Sequence, residues 1–228
     1  MSELFTQWLP HAGAALVVAS VATVITRRFI VHRSAQGMIF GAVFLACLIP
    51  LPAFSLTHYI RVLTGDLSIT GLIILALAAY QSIRSSKSRP DYTQLMPPAL
   101  VLVVVSVVLY PTALGLTYFD LYAYGYYPII LGPILFVLFA SAVWFGLTLS
   151  AALLAMGFLA FALGVLESDN LWDYLIDPVV AAYAFYLVIK NRHQLTNFRV
   201  TQHPVEVMLT VTIATFLLFA IYLAKFNH

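Results

Sequence analysis

Charged residues are spaced so far apart in this chain that their spacing limits the fold more than any other feature. Only 9% of its 228 residues are charged and 62% are hydrophobic. A typical soluble domain carries about a quarter charged residues. A helix needs roughly 20 apolar residues to cross a hydrocarbon core about 30 Å thick. Several charge-free runs reach or approach that length, so we predict an all-α, polytopic transmembrane bundle.

The apolar runs predict about eight membrane spans joined by short loops, in a single integral membrane domain over residues 1–228. The spans are approximately 8–26, 37–55, 67–83, 95–110, 128–145, 147–166, 174–189 and 205–224. Glu3 precedes the first run, and Arg27 and Arg28 follow it. This order is the reverse of a cleavable signal peptide, so we expect the first run to be a retained span.

Lysine and arginine decide the orientation of such a bundle, because short loops rich in these residues stay in the cytoplasm. They follow the first, third and seventh predicted spans: Arg27, Arg28 and Arg33; Arg84, Lys87 and Arg89; Lys190, Arg192 and Arg199. We therefore predict that odd-numbered spans end inside and that both termini lie on the extracytoplasmic side. Only Arg61 and Lys225 of the eleven bases lie on that side.

The stretch between Asp120 and Glu167 contains no charged residue and could be one long span or two. At 1.5 Å per residue it is about twice as long as one crossing needs. A single crossing would also move the last basic cluster to the outer face. We therefore predict two spans with a tight hairpin at Trp144, Phe145 and Gly146.

Acidic residues gather on the face opposite the bases. The outer acids are Glu3, Asp66, Asp120, Glu167, Asp169, Asp173 and Asp177, whereas only Asp91 and Glu206 lie inside. Acids contribute little to membrane orientation, so this second segregation was not built into the topology. It indicates either a site or a docking rim on the outer face.

The third outer segment, 167–178, carries the densest group of acids. If it is helical, Asp173 and Asp177 lie four residues apart on one face, where like charges repel unless something compensates. Such a pair can share a proton for general acid work or hold a divalent cation through oxygen ligands. The simpler interpretation is capping: Asp177 before Pro178 as the N-cap of the seventh span, and Ser168 or Asp169 as the cap of a short preceding helix.

The first outer segment contains Arg61, with His58 three residues before it on the same face of a helix. Arg61 can neutralise an outer carboxylate or bind a phosphate bidentately. Alternatively, Arg61 extends to lipid phosphates and Asp66 caps the third span. A single histidine is not a zinc site, since zinc needs three or four ligands.

The second outer segment is rich in tyrosine around Asp120. Tyrosines at headgroup level normally form an interfacial belt. Aromatic faces beside a carboxylate also suit sugar rings or choline-like headgroups. We therefore name Tyr118, Tyr122 and Tyr124, together with Trp172, as candidate substrate-binding residues alongside His58 and Arg61.

Several function classes are disfavoured by what the sequence lacks. No predicted span has Asp, Glu, Lys or Arg near its middle, where ion-coupled transporters keep such groups. A Walker loop, a Gly-x-Ser-x-Gly elbow, a His-Glu-x-x-His helix and paired metal-binding cysteines are also missing. The net charge of +2 is small and the basic residues lie in short, separate clusters, which disfavours a nucleic-acid partner. Cys47 is the only cysteine, so no internal disulfide can form.

Three functions fit these observations, and the sequence does not decide whether the chain is an enzyme. The first is a transferase or hydrolase that acts on a lipid headgroup or lipid-linked saccharide, with Asp66, Asp120, Asp173 and Asp177 as acid/base or metal residues. The second is a non-enzymatic subunit or scaffold whose acidic rim docks a membrane or periplasmic protein. The third is a channel or lipid flippase.

The remaining expectations concern location and cofactors. Short loops without a soluble domain suit a bacterial inner membrane, with membrane lipids as the immediate partners. No cofactor is identified by the sequence. The one candidate is a divalent cation, with Asp173 and Asp177 as its candidate ligands.

Overall fold

A computed structural model describes residues 2–26, 29–30, 32–49, 57, 59, 65–84 and 92–192. These residues form eight α-helices and one 3-10 segment, and no strand occurs among them. In chain order the helices are α1 Ser2–Thr26, α2 Arg33–Leu48, α3 Ile69–Arg84, α4 Tyr92–Ala113, α5 Pro128–Trp144, α6 Thr148–Leu163, α7 Leu171–Leu175 and α8 Pro178–Lys190; the 3-10 segment is Tyr122–Tyr126. The all-α prediction is confirmed, while the predicted span 205–224 lies outside the described residues.

One helical stretch among the described residues, Gln94–Ala113, is long and apolar enough to cross a membrane. The other apolar helices are shorter: His11–Thr23, Ser34–Leu48, Ile69–Gln81, Pro128–Trp144, Thr148–Leu163 and Pro178–Lys190. A single helix of this kind is weak support for membrane association, because core helices of soluble proteins pass the same test. The eight-span arrangement therefore stays a prediction.

The predicted hairpin in the charge-free stretch is confirmed. Helix α5 ends at Trp144 and α6 begins at Thr148. Gly146 has φ +68°, a left-handed conformation that glycine adopts without steric cost. Around it the N–H of Leu147 donates to the carbonyl of Ala142 and the N–H of Gly146 to that of Val143, the paired bonds that close a helix C-terminus.

Two predicted spans have different bounds in the structure. The second was predicted over 37–55, but α2 ends at Leu48 and Ile49 is extended. The seventh apolar run, 174–189, is split into α7 and α8 by the extended residues Ile176 and Asp177, as the capping interpretation of Asp177 implied. In both places the break precedes a proline, whose ring disfavours helical backbone in the residue before it.

Helix α6 lies centrally and packs against α3, α4, α5 and α7, while α4 also packs against α8 and α1 packs against α2 and α3. The helices alternate in direction, so their ends form two groups. The starts of α3 and α8 are joined by hydrogen bonds between Ser68 and Asp177. At the opposite end, Gln94 of α4 contacts Gly146 and Thr148 in the hairpin. We call these the acid-rich end and the base-rich end.

Candidate functional site at the acid-rich end

Asp177 joins the starts of two helices. One of its oxygens accepts the N–H of Val180 at 2.8 Å and so caps α8, whose first residue is Pro178. The other accepts the backbone N–H of Ser68 at 3.0 Å and the Ser68 hydroxyl at 2.6 Å. The residue is only 3% exposed. The predicted N-cap is therefore confirmed, and the same carboxylate also fixes the start of α3.

The start of α3 reaches Asp177 because residue 71 is glycine. A Cβ at Gly71 would collide with Oδ2 of Asp177. The N–H of Gly71 donates to the Ser68 hydroxyl at 2.9 Å, so Ser68 caps α3. The expectation that Asp66 caps this helix was wrong, since the helix begins three residues after Asp66 and Ser68 occupies the capping position.

Asp173 links the second and third outer segments. Its Oδ1 accepts the Tyr122 hydroxyl at 2.8 Å, and its Oδ2 accepts the Ser168 hydroxyl at 2.5 Å. Burial and the hydrogen bond to Asp173 raise the pKa of Tyr122 well above its ordinary value. Tyr122 therefore stays protonated at neutral pH and acts as a donor. Asp173 and Asp177 do not share one helix face, because α7 ends at Leu175.

Asn170 is completely buried and connects the same two segments through hydrogen bonds. Its side-chain amide donates to the Tyr122 carbonyl at 3.0 Å, and its oxygen accepts the N–H of Trp172 at 2.9 Å. Asn170 is thus the N-cap of α7, and the prediction of Ser168 or Asp169 for that role was wrong. We call residues 114–127 and 164–177 together the loop cap.

Two further contacts hold the loop cap together. The Trp172 indole N–H donates to the Leu121 carbonyl at 3.0 Å. Gly125 lies directly against Asn170 and Trp172, where a Cβ would overlap side chains of both. The side chain of Trp172 is therefore held by both loops, and its position depends on their docking.

Three carboxylates line one cavity of about 550 Å³ beneath the loop cap. They are Asp66, which is exposed, Asp173 and the buried Asp177. The other described lining residues are Gly65, Leu109, Tyr110, Ala113, Tyr122, Leu166, Ser168, Trp172, Ile176 and Pro178. Side chains from the first and third outer segments and a tyrosine from the second thus meet in one space.

Tyr110 is a lining residue that the sequence analysis did not select. Its hydroxyl oxygen is buried and has no hydrogen-bond partner in the described part of the molecule. A buried hydroxyl without a partner is costly, so a cavity ligand or water would satisfy it. The sequence feature that could have identified Tyr110 is its position at the end of a predicted span, beside Pro111.

Other predicted site residues lie elsewhere. Asp120 does not line the cavity; its Oδ1 accepts the backbone N–H groups of Tyr122 at 2.8 Å and Ala123 at 3.3 Å, so it stabilises its own turn. Tyr118 is fully exposed and Tyr124 is also exposed, and neither lines the cavity. His58 and Arg61 lie outside the described residues.

The described residues do not assemble a metal site. No group of three or more His, Cys, Asp or Glu side chains occurs among them in a metal-binding arrangement. Asp173 and Asp177 each accept protein hydrogen bonds on both oxygens. Calcium takes six to eight oxygen ligands, so these two carboxylates would supply only a minority of its shell.

No family model, curated protein or solved structure matches this chain. Its function is therefore inferred from the cavity and its surroundings.

Proposed function

We propose that this chain is a multi-pass integral membrane protein, with about eight spans, that acts as a transferase or hydrolase on a lipid headgroup or lipid-linked saccharide. The polar head binds in the acidic cavity on the extracytoplasmic side. The observation that carries the proposal is the cavity itself, in which Asp66 and Asp173 share one space with two tyrosines and Trp172. A bacterial inner membrane is the location that suits the short loops.

Support for a membrane environment comes from the outer surfaces of the helices. Val104 and Val107 on α4 and Ile134 and Val137 on α5 are each more than half exposed. Both helices are apolar around their whole circumference, which is typical of membrane spans when such faces are not buried by protein. Large exposed apolar patches are rare on soluble monomers, whereas hydrocarbon removes the cost of exposing them.

The chemistry of the cavity suits a polar head with hydroxyl or ammonium groups. Carboxylates accept hydrogen bonds from such groups, and the aromatic rings of Tyr110, Tyr122 and Trp172 pack against sugar rings or attract cations. The volume of about 550 Å³ lies within the usual range of ligand sites, roughly 300–1,000 Å³.

The carboxylates then divide into two roles. Asp177 is a positioning residue, because its oxygens already accept three hydrogen bonds from two helix starts. Asp66 lies exposed in the cavity wall, where it can reach a reacting group as general acid or base. Asp173, backed by the protonated Tyr122, orients the head and stabilises positive charge that develops there.

The proposal is tested with the full chain in nanodiscs of a bacterial polar lipid extract supplemented with a polyprenyl-phosphate sugar. Headgroup turnover is followed by mass spectrometry for the wild type, Asp66→Asn, Asp173→Asn and the control Asp169→Asn, whose exposed carboxylate does not line the cavity. We expect both cavity variants to lose at least 100-fold in rate and the control to lose less than twofold.

Intact folding of each variant is checked by gel filtration and tryptophan fluorescence. Wild-type rates in both cavity variants would contradict the assigned roles. A wild-type chain without turnover would contradict the enzymatic function and favour the non-enzymatic subunit.

A further inference from the structure

We infer that the groove between α4 and α5 binds one hydrocarbon chain of the lipid whose head occupies the acidic cavity. This inference rests on the proposed function, since it extends the same site, but its binding step does not require turnover. The substrate class becomes an amphipathic molecule with a single long chain inserted between two helices.

The groove exists because α4 and α5 both pack against α6 but make little direct contact with each other. Their facing walls carry Val101 and Val105 on one side and Ile134 and Leu138 on the other. Helix α6 forms the floor, and the acid-rich end is lined by Trp172 and Leu175 of α7 and by Ile176 after it. The groove has a volume of about 330 Å³ and its walls are almost entirely hydrocarbon.

The groove is long and narrow. Its lining on α5 extends from Leu131 to Ala142, which at 1.5 Å per residue corresponds to about 17 Å. A groove of this length, lined almost entirely by apolar side chains, suits an extended hydrocarbon chain.

The groove adjoins the acidic cavity. Trp172 and Ile176 line both spaces and form the wall between them. A molecule with its head beside Asp66 and Asp173 thus lies next to an apolar groove, with only Trp172 and Ile176 between the two spaces. Trp172 lies where the polar head meets the chain, the position that its amphipathic ring favours.

The groove also opens sideways. Val101, Ile134 and Phe145 line it and are substantially exposed. In a bilayer this opening faces the hydrocarbon region, so a chain can enter laterally without leaving the apolar phase. The head then enters the cavity beneath the loop cap at the same time.

The test uses the full chain in vesicles of saturated phosphatidylcholine. The probe is lysophosphatidylcholine with a palmitoyl chain that carries a mid-chain diazirine, and crosslinked peptides are mapped by mass spectrometry after illumination. We expect saturable labelling of the facing walls of α4 and α5, which excess unlabelled lysophosphatidylcholine suppresses.

Two matched pairs of variants make the test specific. Ile134→Trp blocks the groove, while Val137→Trp changes a similarly exposed position on the same helix that does not line it. Val101→Trp and Val104→Trp repeat the comparison on α4 in case one variant fails to fold. The blocking variants should reduce saturable groove labelling at least fivefold, and the controls should change it less than twofold.

Labelling that follows exposed surface alone, equal in blocking and control variants, would overturn the inference. Normal headgroup turnover in both blocking variants would overturn it too, while leaving the acidic cavity as the site. Saturable groove labelling in a wild-type chain that has no headgroup turnover would support the groove and contradict only the enzymatic function.

Discussion

The loop cap and the α4–α5 groove are adjacent but are built by different interactions. In the loop cap, Asn170, Trp172 and Asp173 make directed hydrogen bonds to the neighbouring loop. In the groove, apolar side chains line a space that protein does not fill. Directed polar contacts thus fix the positions of the side chains around the acidic cavity, whereas the groove is defined only by the spacing of the apolar helices that line it.

Replacement of Asp177, whose carboxylate connects the starts of α3 and α8, should reduce stability most. Asp177→Ala removes the cap of α8 and leaves the buried N–H and hydroxyl of Ser68 without an acceptor. The free energy of unfolding should fall by about 3–4 kcal/mol, measured by denaturation in mixed detergent micelles. Asp169→Ala, at an exposed position, is the control and should change it by less than about 0.5 kcal/mol. If Asp177→Ala and Asp169→Ala lost the same free energy of unfolding, the contacts of Asp177 would not be a major source of stability.

The second prediction concerns the close approach of the two loops. Gly125→Ala places a Cβ into Asn170 and Trp172, so the loops must separate. We expect a loss of about 2–3 kcal/mol in the free energy of unfolding. Gly41→Ala is the contrasting variant, since a Cβ there meets nothing and alanine favours a helix by about 0.5–1 kcal/mol. If Gly125→Ala had the same free energy of unfolding as the wild type, the loops would not be docked as described.

The third prediction concerns the Tyr122–Asp173 hydrogen bond and pH. Tyr122→Phe should cost about 1 kcal/mol at neutral pH. The pKa of Tyr122 is raised in the folded protein, so the protonated form is favoured there. The contribution is complete below the unfolded tyrosine pKa of about 10 and is lost as pH rises from there through the raised folded pKa. The free energies of unfolding of the wild type and Tyr122→Phe should therefore become equal only above pH 10. Equal values near neutral pH would contradict the hydrogen bond.

The smallest effect is expected at the base-rich end. The Gln94 amide contacts the Gly146 carbonyl at 3.5 Å and the Thr148 hydroxyl at 3.1 Å. These contacts are long or exposed, so Gln94→Ala should reduce the free energy of unfolding by less than about 0.5 kcal/mol. If Gln94→Ala lost as much free energy of unfolding as Gly125→Ala, contacts at the base-rich end would stabilise the fold as much as those in the loop cap.

The sequence predicted the hairpin from the length of the charge-free stretch and from the side on which the last basic cluster should lie. It predicted the N-cap at Asp177 from the proline after it. The extended backbone of Ile176 was not predicted, because Ile176 lies two residues before Pro178 and a proline restricts only the residue directly before it. The joining of Tyr122 to Asp173 could not be predicted either, because 51 residues separate them and no local pattern marks the pair.

The same limit applies to the candidate site. The gathering of acids on one face identified Asp66, Asp173 and Asp177, which do line one cavity. Sequence could not separate Asp120 from them, because its role depends on the turn that it stabilises. Tyr110 was missed because the burial of its hydroxyl depends on how α4 packs.

Asp66 and Asp173 line one cavity, and the proposed function requires both to be reached from the same side of the membrane. This requirement is tested most directly by single cysteines at positions 66, 173 and 148 in a Cys47→Ser background, with a membrane-impermeant methanethiosulfonate added to one side of sealed vesicles. We predict that residues 66 and 173 react from the same side and residue 148 from the other. Reaction of residues 66 and 173 from opposite sides would contradict the shared cavity and the site built on it.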